Sequence, residues 1–512
     1  MSSRHLTVTS TRLADLLDPW QRTAAPTAAA SLPGPAPAGP SGPATPAYRA
    51  LADRIRALVL DGRVPLTARL PAERGLADRL GVSRTTVAAA YDLLRSDGYL
   101  VSRRGSGSWT ALPNHHPEPP TRALVPSSIT GIIDLGVAAL PGPGRPLHRA
   151  VADAADALPA YTTAHGYHPA GLPLLRETIA ARYTRRGAPT TPDQILVTSG
   201  ALSAWVLLLR TFVHPGDRVA VESPTYANAI EAVRAGGGRP VPVPMADDGW
   251  DLPAWRDALR AASPRLAYVI ADYQNPTGHL ATAETRRALV DAARATGTVL
   301  VVDETCADLA LDTPRPPHPD HPAPVAAFDR AGTVVTLGSA AKSFWGGLRI
   351  GWIRATPELI RRFTATRAGL DVAAPVLDQL VVHYLMADHE DAILDARIPT
   401  VRAARTHLAA ELATHLPTWT HHHPPGGLSL WVRTDNLSTT VLSEAAARHG
   451  LRLAPGTLFG TTGAFERHVR LPYTLDSPTL TEAVRRLTLA AAETGRARGD
   501  GGLTPAFTGC VA

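Results

Sequence analysis

Apolar positions in the first quarter of the chain recur at helical spacing, whereas from about residue 194 they gather into short β-branched runs separated by helical stretches. In PAYRALADRIRALVLDG, which begins at Pro46, residues Tyr48, Leu51, Ile55, Leu58 and Val59 fall on one helical face and Gly62 is a stop. Leu76 and Leu80 mark the inner face of a short helix, Gly81 makes a turn, and Ser83 is placed to cap a further helix with core face Val87, Tyr91 and Leu94. Upstream, Leu13, Leu16, Leu17 and Trp20 predict a short amphipathic helix within residues 1–45. The rest of that stretch, TAAPTAAASLPGPAPAGPSGPATP, has no apolar period and reads as an arm or linker.

Further on, ILVTSG precedes ALSAWVLLLRTFV, RVAVESP precedes TYANAIEAVRAGG, and LAYVIADYQ precedes ATAETRRALVDAARATG; strand-like TVLVVDET, TVVTLGS and LRIGWIRA follow. Alternating βα units predict an α/β domain with a mostly parallel sheet covered on both faces, its ligands bound beyond the carboxyl ends of the strands. The last hundred residues or so, with helix-like AARTHLAAELATHL and strand-like LSLWVRT, read as a smaller α+β subdomain. A second Pro-rich break, LPNHHPEPP at Leu112–Pro120, separates the two patterns. The expected segments are an arm at 1–45, a helical domain at 46–111, a linker at 112–130, the α/β domain at 131–495 and a tail at 496–512.

At 512 residues and 45% hydrophobic, the chain is long enough for several cores, and no apolar run reaches the roughly 18 residues of a spanning helix. With only Cys306 and Cys510 there is no disulfide framework, so a reducing, cytoplasmic setting is expected. The formal charge is +6, and between Pro46 and Thr110 there are 11 Arg against 6 Asp and Glu. The excess cation therefore lies in the helical domain, where Arg84, Thr85 and Thr86 occupy the N-terminal end of the second helix of a helix-turn-helix, the end that reaches base edges. SRRGSGS would be a hairpin wing, with Arg103 and Arg104 near phosphates and Gly105 permitting close backbone approach. A solvated basic three-helix domain is the plainer alternative. RLPAERGLADRLGVSRTTV, AYDLLRSDGYL and RRGSGS together resemble the winged helix-turn-helix (α+β) of GntR-type transcription regulators. The resemblance implies double-stranded DNA as partner and contacts from Arg74, Arg84, Thr85 and Thr86, with Gly105 in the wing.

Of 51 Lys and Arg residues, 50 are arginine; Lys342 is the sole lysine. Guanidinium stays protonated, whereas an ε-amine can lose its proton and form an imine with a carbonyl. Ser339 precedes Lys342 by three positions, Gly346 and Gly347 follow, and Arg349 lies seven on, at the start of a predicted strand. Hydroxyl, amine, glycine turn and guanidinium together suit a phosphate beside an imine, as pyridoxal 5'-phosphate requires. Asp303 in VVDET is a carboxylate for a pyridine nitrogen, Asn275 in YQNPTG a donor to the ring oxygen, and Tyr226 in ESPTYAN a ring to stack. Ser199, Gly200 and Ala201 in TSGALS lie between strand and helix, where amides cradle phosphate. Each is ambiguous alone, since Asn-Pro-Thr-Gly is also an ordinary turn and a strand-end Asp is often a cap.

Taken in order, these motifs resemble fold-type I aminotransferases over roughly residues 131–495. The resemblance implies a Schiff base at Lys342, phosphate contacts from Ser339 and Arg349, and Asp303 and Asn275 on the ring. It further implies a homodimer in which Tyr167 of HGYHPAGLPLLR reaches the neighbouring subunit's phosphate, and a carboxylate site at Arg470 of HVRLPY. Where the family usually has a tyrosine three after the aspartate, this chain has Cys306, a weaker and shorter donor. No partner ligands have metal spacing around His421, His422 and His423. A GntR-type reader joined to such a domain resembles the MocR subfamily, which implies a regulator whose cofactor, or a small amine or amino-acid effector joined to it, modulates operator binding. An active aminotransferase carrying a DNA-binding appendage, and a cofactor-free scaffold, are the alternatives.

Overall fold

A computed structural model describes residues 7–24, 46–103, 107–111, 131–461 and 463–499, in two compact units divided after Pro126. In the first unit, α2 (Ala47–Leu60), α3 (Glu73–Leu80) and α4 (Arg84–Ser96) are followed by the antiparallel hairpin β1 (Leu100–Arg103) and β2 (Gly107–Thr110). Gly81 ends α3 at φ 65°, a conformation glycine adopts without the Cβ penalty. Leu51, Ile55, Leu58, Leu76, Leu80, Val87, Tyr91 and Leu94 share one core, as their spacing predicts.

Residues 1–45 need a correction. Helix α1 (Ser10–Ala24) lies against α2 and α3, and Val8, Leu13 and Leu17 are buried in the same core. The backbone of Val8 donates to the Arg69 carbonyl at 2.9 Å, and Arg79 Nη2 donates to Thr11 Oγ1 at 2.9 Å. The early part of the arm is thus an element of this unit. Arg104, Gly105 and residues 112–130 lie outside the described residues, as does the tail beyond 499.

The second unit contains the short strand β3 (Ile133–Asp134) and an eight-stranded sheet. In chain order the sheet comprises β4 (Ile195–Thr198), β5 (Arg218–Ser223), β6 (Arg239–Ala246), β7 (Gly249–Trp250), β8 (Leu266–Val269), β9 (Val299–Asp303), β10 (Val334–Ser339) and β11 (Gly351–Arg354). Their order is β4-β11-β10-β9-β8-β5-β6-β7. The central pairs from β10 to β6 are parallel; β11 runs against both neighbours and β7 against β6. Leu300 and Val302 enter one core and Val301 the other, so both faces are covered, as continuous apolar runs require. The smaller subdomain has a sheet of β12 (Thr420–His421), β13 (Ser429–Arg433), β15 (Ala454–Pro455) and β16 (His468–Pro472), packed on the helices Glu390–His415 and Ser477–Gly499; β14 (Leu451–Arg452) pairs with β3.

Candidate functional site

The first unit presents Arg74, Arg84 and Thr85 exposed and Thr86 half-buried. Ser83 caps α4 by accepting from the Thr86 amide at 3.1 Å, and its hydroxyl lies 2.7 Å from that of Thr85 and 2.8 Å from that of Thr86. The Arg84 side chain is 72% exposed and reaches Glu73 at 3.4 Å, so it is steered without being sequestered. Arg103 closes β1.

In the second unit the predicted residues gather at the carboxyl ends of the strands. Asp303 ends β9, and its Oδ2 accepts from Tyr268 Oη at 2.6 Å while its Oδ1 accepts from the Thr305 amide at 2.8 Å and from the Thr305 hydroxyl. Three donors thus converge on its two oxygens and fix the carboxylate's orientation. Lys342 lies in the turn after β10 and donates through Nζ to the Ala138 carbonyl. Burial pulls its pKa below that of an ordinary lysine; Cys306 and Asp303 oppose the shift, Arg470 and Arg349 add to it. Burial also pushes the Cys306 thiol up to about 12, so at neutral pH it is uncharged and Asp303 supplies the opposing charge.

Arg349 is not within a strand: it precedes β11 at φ 52°, and its Nη2 donates to the Ser199 carbonyl at 3.2 Å. A Cβ on Gly200 would stand 2.8 Å from that nitrogen, which is why glycine opens the helix Ala201–Phe212. Ser339 Oγ accepts from the Ala341 amide at 3.1 Å. Tyr226 caps the helix Ala227–Ala235, and burial raises its pKa, with Asp303 and Arg470 close enough to act on it. Arg470 is buried, with Nη1 3.4 Å from Asn275 Oδ1, Nη2 donating to the Gly136 carbonyl and its plane 5.1 Å from the Phe459 ring. Burial lowers even this guanidinium to about 10. Tyr167 stays apart: it is 62% exposed and pairs with the His165 ring rather than with the cluster. His422 stacks on His279, 4.6 Å between centroids.

Residues 47–109 match the family described as Bacterial regulatory proteins, gntR family, and residues 130–487 match Aminotransferase class I and II. "Probable rhizopine catabolism regulatory protein MocR" of Rhizobium meliloti is 29% identical over 448 residues, covering 80% of this chain and 86% of that protein. The HTH-type transcriptional regulator YdcR of Escherichia coli K12 is 30% identical over 449 residues, 83% of this chain and 94% of that one. The chain belongs to the MocR subfamily of GntR-type regulators. Among solved structures, LysN of Thermus thermophilus, an alpha-aminoadipate aminotransferase complexed with N-(5'-phosphopyridoxyl)-L-leucine, superposes with a TM-score of 0.66 at 28% identity, covering 72% of this chain and 94% of that one.

Pyridoxal phosphate is the cofactor of the aminotransferase-type domain in this MocR protein, and its residues fit it. The Arg470 Nε is buried without a partner, the Lys342 amine is depressed, and Arg349 closes against the glycine at the helix start. Sequence reasoning missed three contributors. Tyr268 holds Asp303 from the middle of the sheet. Arg397 donates to the carbonyls of Ser343 at 2.5 Å, Phe344 at 2.8 Å and Pro141 at 2.6 Å, pinning the lysine turn. The strap Leu135–Pro141 offers the Gly136 and Ala138 carbonyls to Arg470 and Lys342. Only Tyr268 had a sequence signal, as a hydroxyl in an otherwise apolar strand. No helix among the described residues is long and apolar enough to cross a membrane.

Proposed function

We propose that this regulator reads its operator through Arg74, Arg84, Thr85, Thr86 and the Arg103–Gly105 wing, and that pyridoxal phosphate held at Lys342 sets how its readers are placed. The cofactor supplies an electrophilic aldehyde and an electron-withdrawing ring. Lys342 would bring its amine, with its pKa lowered by burial, to that aldehyde, Asp303 would hold a proton at the ring nitrogen, and Asn275 would donate to the ring oxygen. Ser199, Gly200, Ala201, Ser339 and Arg349 bind the phosphate, Tyr226 lies over the ring, and Tyr167 serves the neighbouring subunit of a homodimer. Arg470 orients the carboxylate of an amino-acid effector. The protein works in the cytoplasm. A ligand regulates only through its differential affinity for two arrangements.

The observation that carries this reading is the conjunction, on one chain, of the capped recognition helix and the depressed lone lysine among Asp303, Arg349 and Arg470. Lys342→Arg keeps the charge and removes the aldehyde-reactive amine. It is expected to abolish the visible absorbance of the bound cofactor and the effect of pyridoxal phosphate on operator affinity, with binding to DNA otherwise retained. An unchanged response to the cofactor would sink the reading. Rapid conversion of amino acids by the purified protein would instead favour an active aminotransferase, a reading against which Cys306, three residues after Asp303, counts.

A further inference from the structure

The hydroxyl of Ser199 is already engaged: its Oγ donates to Asp371 Oδ2 at 3.2 Å. A hydroxyl donates once, although it can accept twice. A phosphate oxygen that needs this donor therefore contends with Asp371 for a single proton. The carboxylate is not free to swing aside, because Arg367 donates Nε to Oδ1 at 2.6 Å and Nη2 to Oδ2 at 3.1 Å. Arg367 is itself 1% exposed and fixed by the carbonyls of Pro169 at 2.9 Å and of Val197, in β4, at 2.5 Å. Val372, the next residue after Asp371, sits at φ 60°, which a β-branched side chain rarely adopts. The carboxylate is thus fixed beside the cradle by Arg367, next to a residue in a strained conformation.

The charges point the same way. Arg349 brings one cation to Ser199, and the charge of Arg367, which bonds the Val197 carbonyl two residues before Ser199, is paired with Asp371. Anion and cation cancel where a site built for tight phosphate retention would keep the arginine alone. The Asp371 side chain is 37% exposed, so its repulsion of a phosphate is screened but not abolished.

We propose that Asp371 is an internal competitor for the cofactor's phosphate, which holds the Ser199 proton, neutralises Arg367 and keeps the affinity low enough for occupancy to follow supply. The proposal rests on the reading of Ser199, Gly200 and Ala201 as the phosphate cradle, and it deepens the regulatory one. A bound ligand reports its own concentration only when that concentration lies near the dissociation constant. A cofactor that never leaves carries no such message.

The test titrates the cofactor-free, full-length protein with pyridoxal 5'-phosphate and, separately, with pyridoxal, which has the same aldehyde and no phosphate. Asp371→Asn keeps the shape and removes the charge. It is expected to lower the Kd for pyridoxal 5'-phosphate roughly tenfold and to change that for pyridoxal by less than about twofold. Ser199→Ala is expected to weaken the phosphorylated ligand alone, and Asp371→Asn on that background to gain clearly less than it does in the natural chain. Unchanged or weaker phosphate binding in Asp371→Asn, an equal gain for both ligands, or a full gain retained beside Ser199→Ala overturns the competition. Loss of both ligands in Asp371→Asn makes the residue structural and overturns it too. Ser199→Ala without effect on either ligand strikes the cradle reading itself, a failure distinct from the others.

Discussion

Lys342 shows how burial prepares an amine. Its folded pKa is pulled down mainly by burial, while in the unfolded chain it stays near the ordinary value of about 10.4. The folded state therefore takes up this proton less readily than the unfolded one. The stability tied to the group is whole above the ordinary lysine pKa and is lost as pH falls through the folded one. At pH 7 the cofactor-free protein carries that penalty, so Lys342→Met is expected to raise its melting temperature by roughly 1–2 °C. Scanning calorimetry at pH 7 checks it, and a lower melting temperature would mean that the bond to Ala138 outweighs the burial. That Lys342, Asp303, Asn275 and Arg349 come together was legible because they are rare or chemically pointed residues at strand ends and glycine turns. Asp371, Arg367 and Arg397 were not, because each acts on a backbone or side chain that the fold alone brings near, from a helix or loop with no distinguishing spacing.

At the scale of elements, helical periodicity identified the reader, and the four apolar residues of α1 identified a helix but not its destination. An amphipathic face states only that something must cover it; the cover is the core shared with α2 and α3. Leu17 is fully buried there, so Leu17→Ala is expected to cost about 2–4 kcal/mol in the unfolding of the first unit. Denaturant titration of the full chain, followed by DNA binding, measures this. A cost near zero would return α1 to the status of an arm. β6 is hard to read from the sequence for the opposite reason. Its sequence RPVPVPMA places Pro240, Pro242 and Pro244 on alternate positions, which argues against a ladder on that side. β7 pairs only with Met245 and Ala246, so along most of its length β6 is an edge, where proline is tolerated. The strap Leu135–Pro141 yields a further prediction. A ligand that claims Lys342 and Arg470 takes two donors from its carbonyls and loosens the strap, so amide exchange over 136–140 is expected to accelerate on loading with pyridoxal phosphate and an amino acid; slowed exchange would contradict that.

For the molecule as a whole, the charge lies where DNA needs it. Arg84 at the exposed start of α4 is expected to contribute selectivity: Arg84→Ala should cost about 1–3 kcal/mol at the operator and little on random DNA. Arg103→Ala should weaken both alike and reduce the slope of log affinity against log salt by roughly 1. Equal losses for the two variants on both DNAs would misplace the recognition helix. The two-part organisation was legible in the composition, with its Pro-rich break and concentrated arginine, whereas the docking of α1 required three-dimensional packing. The replacement of lysine by arginine has one more consequence. With the only ε-amine turned inward against Ala138, the chain's other 50 Lys and Arg positions all carry a guanidinium, which resists the acylation that marks an amine. Reagents and enzymes that mark proteins on lysine would find one side-chain target here, and reaching it would mean entering the pocket that buries Lys342.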